Sequence, residues 1–169
     1  SSTNVPGNLP AENASVSANG RFVVYSSQSS NLVPGDSNFL PDIFVRNVVQ
    51  RTTARISMSA SNQQANGGSF WPSISADGQV VAFVSLASNL VPDDFRTDEL
   101  QDQRVYMVDL LCGAVSRVRS HPFGTQGNRT SLSPSISGDG SLVAFVSEAR
   151  NLVLDDTNKR LDVFVRNIN

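Results

Sequence analysis

Two loops of the chain carry oxygen-bearing side chains at the same spacing, one in segment 31–47 and one in segment 151–167. The two sets are Asp36, Asn38, Asp42 and Asp156, Asn158, Asp162. Alternating carboxylate and amide oxygens, with a further carboxylate where the next strand starts, suit a hard cation such as Ca²⁺. Asp and Asn in loops also accept hydrogen bonds from nearby backbone N–H groups. The sequence therefore leaves two roles open, fixation of the loop and binding of Ca²⁺, the only cofactor that it suggests.

The matching loop in the middle of the chain, which begins at Asn89, lacks this set. Arg104 stands where the other two loops have their last carboxylate, so a metal role fails there. Acidic residues surround this arginine at Asp98, Glu99 and Asp102. We expect a solvated, partner-facing insertion at this point.

Catalytic groups are scarce. His121 is the only histidine and Cys112 the only cysteine. No G-x-S-x-G occurs, so the nucleophile, base and orienting acid of a hydrolase triad are not predicted. One histidine and one cysteine also leave no zinc or haem site, and neither a P-loop nor G-x-G-x-x-G is present. We predict no catalytic residue.

Composition narrows the class of protein. The 169 residues are 39% hydrophobic and 17% charged, with a formal net charge of -2. These values are typical of one globular domain with a real core. The charge gives no reason to expect nucleic acid as a partner. No apolar run approaches the roughly 18 residues of a membrane-spanning helix, so membrane insertion is not predicted.

Three similar segments place the loops on elements. They are "SVSANGRFVVYSS" from Ser15, "SISADGQVVAFVS" from Ser73 and "SISGDGSLVAFVS" from Ser135. Their turn glycines set offsets of 58 and then 62 residues. Asn-Gly or Asp-Gly between apolar runs is a strong hairpin signal. The chain is therefore an internal repeat of about 60 residues.

Each repeat predicts short strands and little helix. A brief strand precedes the turn, a β-branched and aromatic strand follows it, and a third strand ("DIFVRN", "RVYMVD", "DVFVRN") comes after the loop. A fourth strand appears near Arg55 and near Arg117. Four antiparallel strands with both faces buried indicate a blade of an all-β propeller. We place the blades at about 14–58, 72–120 and 134–169, after an N-terminal extension, 1–13, that is a candidate to complete a blade.

Arginines recur at equivalent points of the repeats. Arg46 matches Arg166, and Arg55 matches Arg117. A recurring arginine can bind an anionic ligand. In repeat proteins it more often bridges blades or covers a sheet edge with its aliphatic stem.

The repeat also resembles a known family. Ser-x-Ser-x-Asp-Gly, an apolar run ending in Phe, a loop and then Asp-[Val/Ile]-Phe-Val-Arg-Asn are similar to the WD40-like repeat of TolB-type bacterial propellers. The resemblance covers about 14–167. It implies a propeller that presents loops and a central channel to protein partners, in the periplasm or outside the cell. The many serines and asparagines also suit an exported protein.

The third blade lacks its outermost strand, and three blades cannot close a ring, since propellers have typically four to eight. We expect either a homodimer that closes a six-bladed ring or a part of a six-bladed parent. In the first case "SSTNV" is a candidate for the absent strand.

Two classes of function remain. Phe70 and Trp71 in "GGSFWPSIS" precede the innermost strand of blade 2, at the channel rim or in a seam between blades. They either pack or contact a ligand or partner, because aromatic residues are enriched at interface hot spots. With Arg104 they are the candidate partner-binding residues.

The favoured function is a non-enzymatic binding module. The alternative is the propeller portion of an exported lactonase, glycosidase or peptidase.

Overall fold

Eleven β-strands form the protein in a computed structural model that describes residues 5–92, 102–118, 127–154 and 156–168. The strands make three antiparallel sheets of four, four and three strands, and the described residues contain no helix. The sheets are β1 (Ala11–Val16), β2 (Phe22–Ser27), β3 (Asp42–Asn47) and β4 (Thr52–Arg55); β5 (Ser69–Ile74), β6 (Val80–Ser85), β7 (Arg104–Asp109) and β8 (Val115–Arg117); and β9 (Ser131–Ile136), β10 (Leu142–Ser147) and β11 (Asp162–Asn167). The predicted all-β fold of propeller blades is confirmed. The third blade has three strands among the described residues, and the first four residues of the candidate strand "SSTNV" lie outside them.

The hairpin turns form as the Asp-Gly signal predicts. In blade 2, Asp77 accepts hydrogen bonds from the Ser75 hydroxyl at 2.6 Å and from the Gln79 N–H at 2.9 Å. Gly78 takes a φ of +77°, a conformation that glycine adopts without a Cβ clash. These hydrogen bonds lower the pKa of Asp77, with the Ser75 hydroxyl as the largest cause.

The repeated Asn-Leu pair joins each loop to the chain before its blade. Asn89 accepts the Asn66 N–H at 3.0 Å and donates its amide to the Gln64 carbonyl at 2.8 Å. Asn31 and Asn151 make the matching bond to Asn8 and Asn128. The leucines beside them are buried in the core: Leu32, Leu90 and Leu152. The loop therefore recurs because one residue anchors it and the next packs beneath it.

The innermost strands begin earlier than the sequence predicts. Residues 11–13 belong to β1, and Pro72 lies inside β5 instead of before it. A proline lacks the N–H that a ladder needs, and is tolerated in a strand at bulges. Pro72 lies where the pairing of β5 with β6 shifts register, between Phe70 and Ser73.

The core consists of the two seams between neighbouring blades. Val24 and Ile43 of blade 1 pack with Phe83 and Tyr106 of blade 2. Ala82 and Val84, on the opposite face of the blade 2 sheet, pack with blade 3. Backbone hydrogen bonds also link the hairpins, from Ala18 N–H to the Ala76 carbonyl and from Ala76 N–H to the Gly138 carbonyl, both at 2.9 Å. The blades therefore stack face to face.

The outer face of each terminal blade is open. Val16 of blade 1 is 58% exposed, whereas Ile74, its equivalent in blade 2, is 7% exposed because blade 1 covers it. Val163 of blade 3 is 73% exposed, whereas its blade 1 equivalent, Ile43, is fully buried. The protein thus presents an apolar sheet face at either end of the stack. No helix among the described residues is long and apolar enough to cross a membrane.

Candidate functional sites: the acidic loops and the inner row

The acidic loop of blade 1 closes around Arg55. The Arg55 guanidinium, from the end of β4, lies 2.8 Å from Asp36 and 3.3 Å from Asp42. The side chains of Arg55, Asp36 and Asp42 are 6%, 4% and 0% exposed. Arg55 also donates to the Gln64 side-chain carbonyl at 2.8 Å. One arginine therefore ties the loop, β3, β4 and the link to blade 2 together.

Asp42 is the most enclosed member of this network. It accepts a short hydrogen bond from the Ser57 hydroxyl and another, 2.9 Å long, from the Asn38 amide. Burial raises the pKa of the Asp42 carboxyl, although the hydrogen bonds from Ser57 and Asn38 and the charge of Arg55 act in the opposite direction. Burial likewise raises the pKa of Asp36. Two desolvated carboxyls thus share a single guanidinium, a buried ion network whose members depend on one another.

The acidic loop of blade 3 repeats the hydrogen bonds of the blade 1 loop. The Asn158 amide donates to Asp162 at 2.8 Å, and its carbonyl accepts the Arg160 N–H at 2.8 Å. In blade 1 the Asn38 carbonyl accepts the Leu40 N–H in the same way, at 3.1 Å. Here Asn158 is exposed and Asp156 and Asp162 are half-buried, whereas in blade 1 β4 brings Arg55 to the equivalent acids.

In blade 1 the Arg55 guanidinium lies between the two aspartates, whereas in blade 3 Asp156, Asn158 and Asp162 line an open pocket of about 290 Å³. Asn38 and Asn158 turn their amide N–H groups, and not their carbonyl oxygens, to the aspartates. No group of three or more His, Cys, Asp or Glu side chains within the described ranges is placed to hold a metal ion. Fixation of the loop explains all the observed contacts of the two sets, and Ca²⁺ binding stays a prediction.

Arg104 is buried, not solvated as the sequence suggested. It is 6% exposed and lies where β7 starts, beside a narrow pocket that it lines together with Arg117, Arg129 and Phe145. Asp102 is also buried and accepts a hydrogen bond from the Thr130 hydroxyl at 3.2 Å. Asp98, Glu99 and His121 fall outside the described residues. A partner-binding role for Arg104 stays a prediction.

A different set of residues lies at the inner end of the sheets. Each innermost strand contains a bulge, and one residue of each bulge has a positive φ: 53° at Asn13, 50° at Trp71 and 48° at Ser133. Non-glycine residues adopt this conformation rarely, at a cost of about 1–3 kcal/mol that the surrounding structure must offset. We call these three residues the inner row.

The inner row opens on one pocket of about 260 Å³. Its lining is Asn13, Ala14, Trp71, Pro72, Ser133 and Pro134. Trp71 is 37% exposed, and the Phe70 ring lies beside its ring at a centroid distance of 6.0 Å. The structure thus places Trp71 on the inner rim, one of the two positions predicted for it. The bulge at Trp71 could not be predicted from the sequence, because tryptophan rarely adopts a positive φ.

A larger cleft, of about 570 Å³, runs between the outer strands of blades 1 and 2. Phe22, Val45 and Val115, which pack against the core between these blades, form part of its lining. The cleft is the outer end of that seam. Cys112, the single cysteine, is exposed in the turn after β7 and is not among the residues that line the cleft.

Comparisons with known proteins agree with this architecture. No family model matches the chain, and no curated protein matches it. The structure of TolB from Acinetobacter baumannii superimposes with a TM-score of 0.53 at 16% identity, over 95% of this chain and 30% of that one. A structure assigned to TolB from Agrobacterium tumefaciens gives 0.58 at 18% identity, over 98% and 47%. The chain has a TolB-like β-propeller fold.

Peptidases contain the same fold. The acylaminoacyl peptidase of Pyrococcus horikoshii superimposes with a TM-score of 0.50 at 16% identity, over 87% of this chain and 18% of that one. This chain spans less than half the length of each of these three proteins. Identities this low show the fold alone.

Proposed function

We propose that the protein is a non-enzymatic binding module that recognises a polypeptide through its inner row. The observation that carries this proposal is the recurrence of a strained bulge at one position of all three innermost strands. Strained, non-glycine φ values cluster at ligand clamps and binding sites. Here they hold Asn13, Trp71 and Ser133 on one pocket.

The chemistry of the inner row favours a protein partner. Trp71 offers a large, rigid aromatic surface next to the two prolines of the pocket, Pro72 and Pro134. Asn13 supplies an amide and Ser133 a hydroxyl at the same rim. An aromatic anchor flanked by hydrogen-bonding groups is the usual composition of an interface hot spot.

The open faces of blades 1 and 3 support a further part of the proposal, self-association. In a head-to-tail dimer, the exposed Val163 face of one copy would cover the exposed Val16 face of the other. The two copies together would then close a ring of six blades. We expect light scattering to give twice the 18.1 kDa mass of the chain at micromolar concentration. A monomer would overturn the ring. A TolB-like module of this kind suits the periplasm or the cell exterior.

A second candidate is the propeller portion of a larger exported hydrolase. The similarity to the Pyrococcus horikoshii peptidase favours it, since that propeller belongs to an enzyme chain. In that case the catalytic groups come from outside the three blades.

The inner row is tested by selecting peptides from a display library on the wild-type protein. Trp71→Asn places in blade 2 the residue that blade 1 already has at this position, so the backbone is preserved. We expect the selected peptides to shift the emission of Trp71, the only tryptophan. We expect their affinity for Trp71→Asn to fall by about 30-fold or more, the size of a hot-spot loss.

Leu111→Asn is the matched control. Leu111 is 76% exposed in the turn after β7, away from the inner row. Its replacement leaves the affinity unchanged if the inner row is the site. Equal affinity of the peptides for Trp71→Asn and for wild type would contradict the proposal.

A further inference from the structure

The cleft of about 570 Å³ between blades 1 and 2 has an apolar floor. Val45 of β3 and Val115 of β8 pack against the core and also line the cleft. Val108 and Leu110 of blade 2 continue this floor. Ala54, opposite Val45 on β4, is exposed and small, so the blade 1 wall stays open. A concave apolar site of this volume is typical of pockets that bury a small ligand.

One cation lies at the mouth of this cleft. The exposed Arg21 holds its guanidinium 5.2 Å from the centroid of the Phe22 ring, and both side chains line the cleft. Among the described residues, no carboxylate forms an ion pair with Arg21. The equivalent residues are Gln79 in blade 2 and Ser141 in blade 3, so blade 1 alone carries a charge at this position. The Phe22 ring thus fixes a guanidinium beside an apolar floor.

The other charged groups that line the cleft are engaged within their own blades. Arg55 directs its guanidinium to the two buried aspartates of the blade 1 loop. Asp77 accepts two hydrogen bonds within its own hairpin turn. Arg21 is therefore the group that selects the charge of a ligand, and it selects an anion.

We propose that this cleft binds an unbranched aliphatic carboxylate of medium length, such as decanoate. The chain lies along Val45, Val108 and Val115, and the carboxylate accepts hydrogen bonds from Arg21. A guanidinium donates to both oxygens of a carboxylate in one plane. Each methylene that leaves water on the apolar floor raises the affinity about fourfold.

The surroundings of Phe22 favour an aliphatic chain over an aromatic ligand. Arg21 lies over its ring, and Gly78 of blade 2 approaches the same ring so closely that an added Cβ would lie 2.5 Å from it. The ring is therefore covered by protein groups and has little face left for stacking. The remaining apolar side chains of the floor are aliphatic.

Titration calorimetry with decanoate and octanoate, each below its micellar concentration, tests the apolar part of the site. We expect one decanoate to bind per chain. Octanoate has two methylenes fewer and is expected to bind about 15-fold more weakly. In NMR spectra of methyl-labelled protein, decanoate shifts the Val45, Val108 and Val115 signals. It leaves those of Val16 and Val163, on the open blade faces, in place.

Arg21→Gln tests the charge and preserves the turn, because blade 2 has glutamine at this position. We expect octanoate to bind this variant about three- to fivefold more weakly, as for the loss of an exposed charge pair. The uncharged 1-octanol, with a chain of the same length, binds both proteins equally. Arg160→Gln, at an exposed arginine of blade 3, is the matched control and leaves both affinities unchanged.

Ala54→Trp tests the position of the chain. Because Ala54 is exposed on β4, the larger side chain enters the cleft without displacing the core. We expect the affinity for decanoate to fall about tenfold or more, which corresponds to fewer than two methylenes left in water. Ala11→Trp makes the same change at the exposed start of β1 and leaves the affinity unchanged. Thermal melts confirm that each variant is folded.

Three results would overturn the proposal: no saturable binding at millimolar decanoate, an unchanged decanoate affinity in Ala54→Trp, or an unchanged octanoate affinity in Arg21→Gln. The last would leave the cleft as an apolar surface that does not select an anion, as for an apolar side chain of a peptide. The cleft lies at the outer strands and the inner row at the innermost ones, so the two proposals can fail separately.

Discussion

The acidic loops of blades 1 and 3 are one structure in two environments. Both use an asparagine to orient an aspartate at a strand start, at 2.9 Å in blade 1 and 2.8 Å in blade 3. In blade 1 the fourth strand brings an arginine and the aspartate is fully buried, whereas no fourth strand of blade 3 is among the described residues. The loop therefore takes its shape from its own side chains and backbone. The fourth strand contributes the charge that makes burial of the acids tolerable.

The largest effect is expected from Arg55→Ala. Removal of the shared guanidinium leaves Asp36 and Asp42 facing each other without a cation. The expected loss is about 3–5 kcal/mol of unfolding free energy, as for other broken buried pairs. For a chain of this size, that lowers the melting temperature by about 10 °C.

The pH dependence of Arg55→Ala has a definite sign. Burial already raises the folded-state pKa of both carboxyls, and loss of the arginine raises them further. A raised pKa contributes stability at low pH that is lost as the pH rises through it. The difference in unfolding free energy between Arg55→Ala and wild type therefore becomes smaller as the pH falls from 7 to 4. Arg160→Ala, at an exposed position of the blade 3 loop, is the control and changes stability by less than about 0.5 kcal/mol.

A smaller effect separates the two asparagines. Asn38 donates to buried Asp42 and to the Ala65 carbonyl at 3.2 Å, whereas Asn158 is exposed and bonds within its own loop. Asn38→Ala is expected to cost about 1–2 kcal/mol in urea unfolding, and Asn158→Ala less than 1 kcal/mol. Equal losses would mean that the surroundings of the blade 1 loop add nothing to it.

The smallest effect is expected at the hairpin turns. Hydrogen bonds, first from the Ser137 hydroxyl and then from Ser141, lower the pKa of Asp139 to about 2. A depressed pKa gives stability that is present above the ordinary value, near 3.8, and is lost as the pH falls toward 2. Asp139→Asn removes this part of the acid transition, because an amide does not titrate. Blade 1 carries the uncharged Asn19 at the same position, so the turn accommodates the replacement. Identical acid melts of variant and wild type between pH 4 and 2 would contradict this.

The fold could be predicted because its signals are local. The Asn-Gly or Asp-Gly turns, the apolar run after each and the strand after the loop are each visible within a few residues, and they recur at offsets of 58 and 62 residues between the turns. The three described strands of blade 3 could be predicted in the same way. The starts of the innermost strands could not, because Pro72 and Pro134 signal a boundary whereas the bulges accommodate them inside the strands.

The sites were harder to predict for a physical reason. Asp36, Asn38 and Asp42 could be identified as one cluster from their spacing. Their partner is Arg55, 13 residues beyond Asp42, and only the register of β3 with β4 brings it to them. The sequence signal for Arg55 was its recurrence as Arg117. This recurrence indicated an arginine that bridges parts of the fold, but it did not identify Asp36 and Asp42 as the groups that Arg55 contacts. The sequence around Trp71 does not indicate the left-handed backbone conformation of this residue.

The most direct test compares Asp42→Asn with Asp162→Asn in the same buffer at pH 7, by urea unfolding. We expect the fourth strand and its arginine to distinguish the two loops. In that case Asp42→Asn lowers the unfolding free energy by about 2 kcal/mol or more, because the donors of Ser57, Asn38 and Arg55 then face a neutral amide in place of a buried carboxylate. Asp162→Asn then changes it by less than about 0.5 kcal/mol. Equal losses at the two positions would contradict the account.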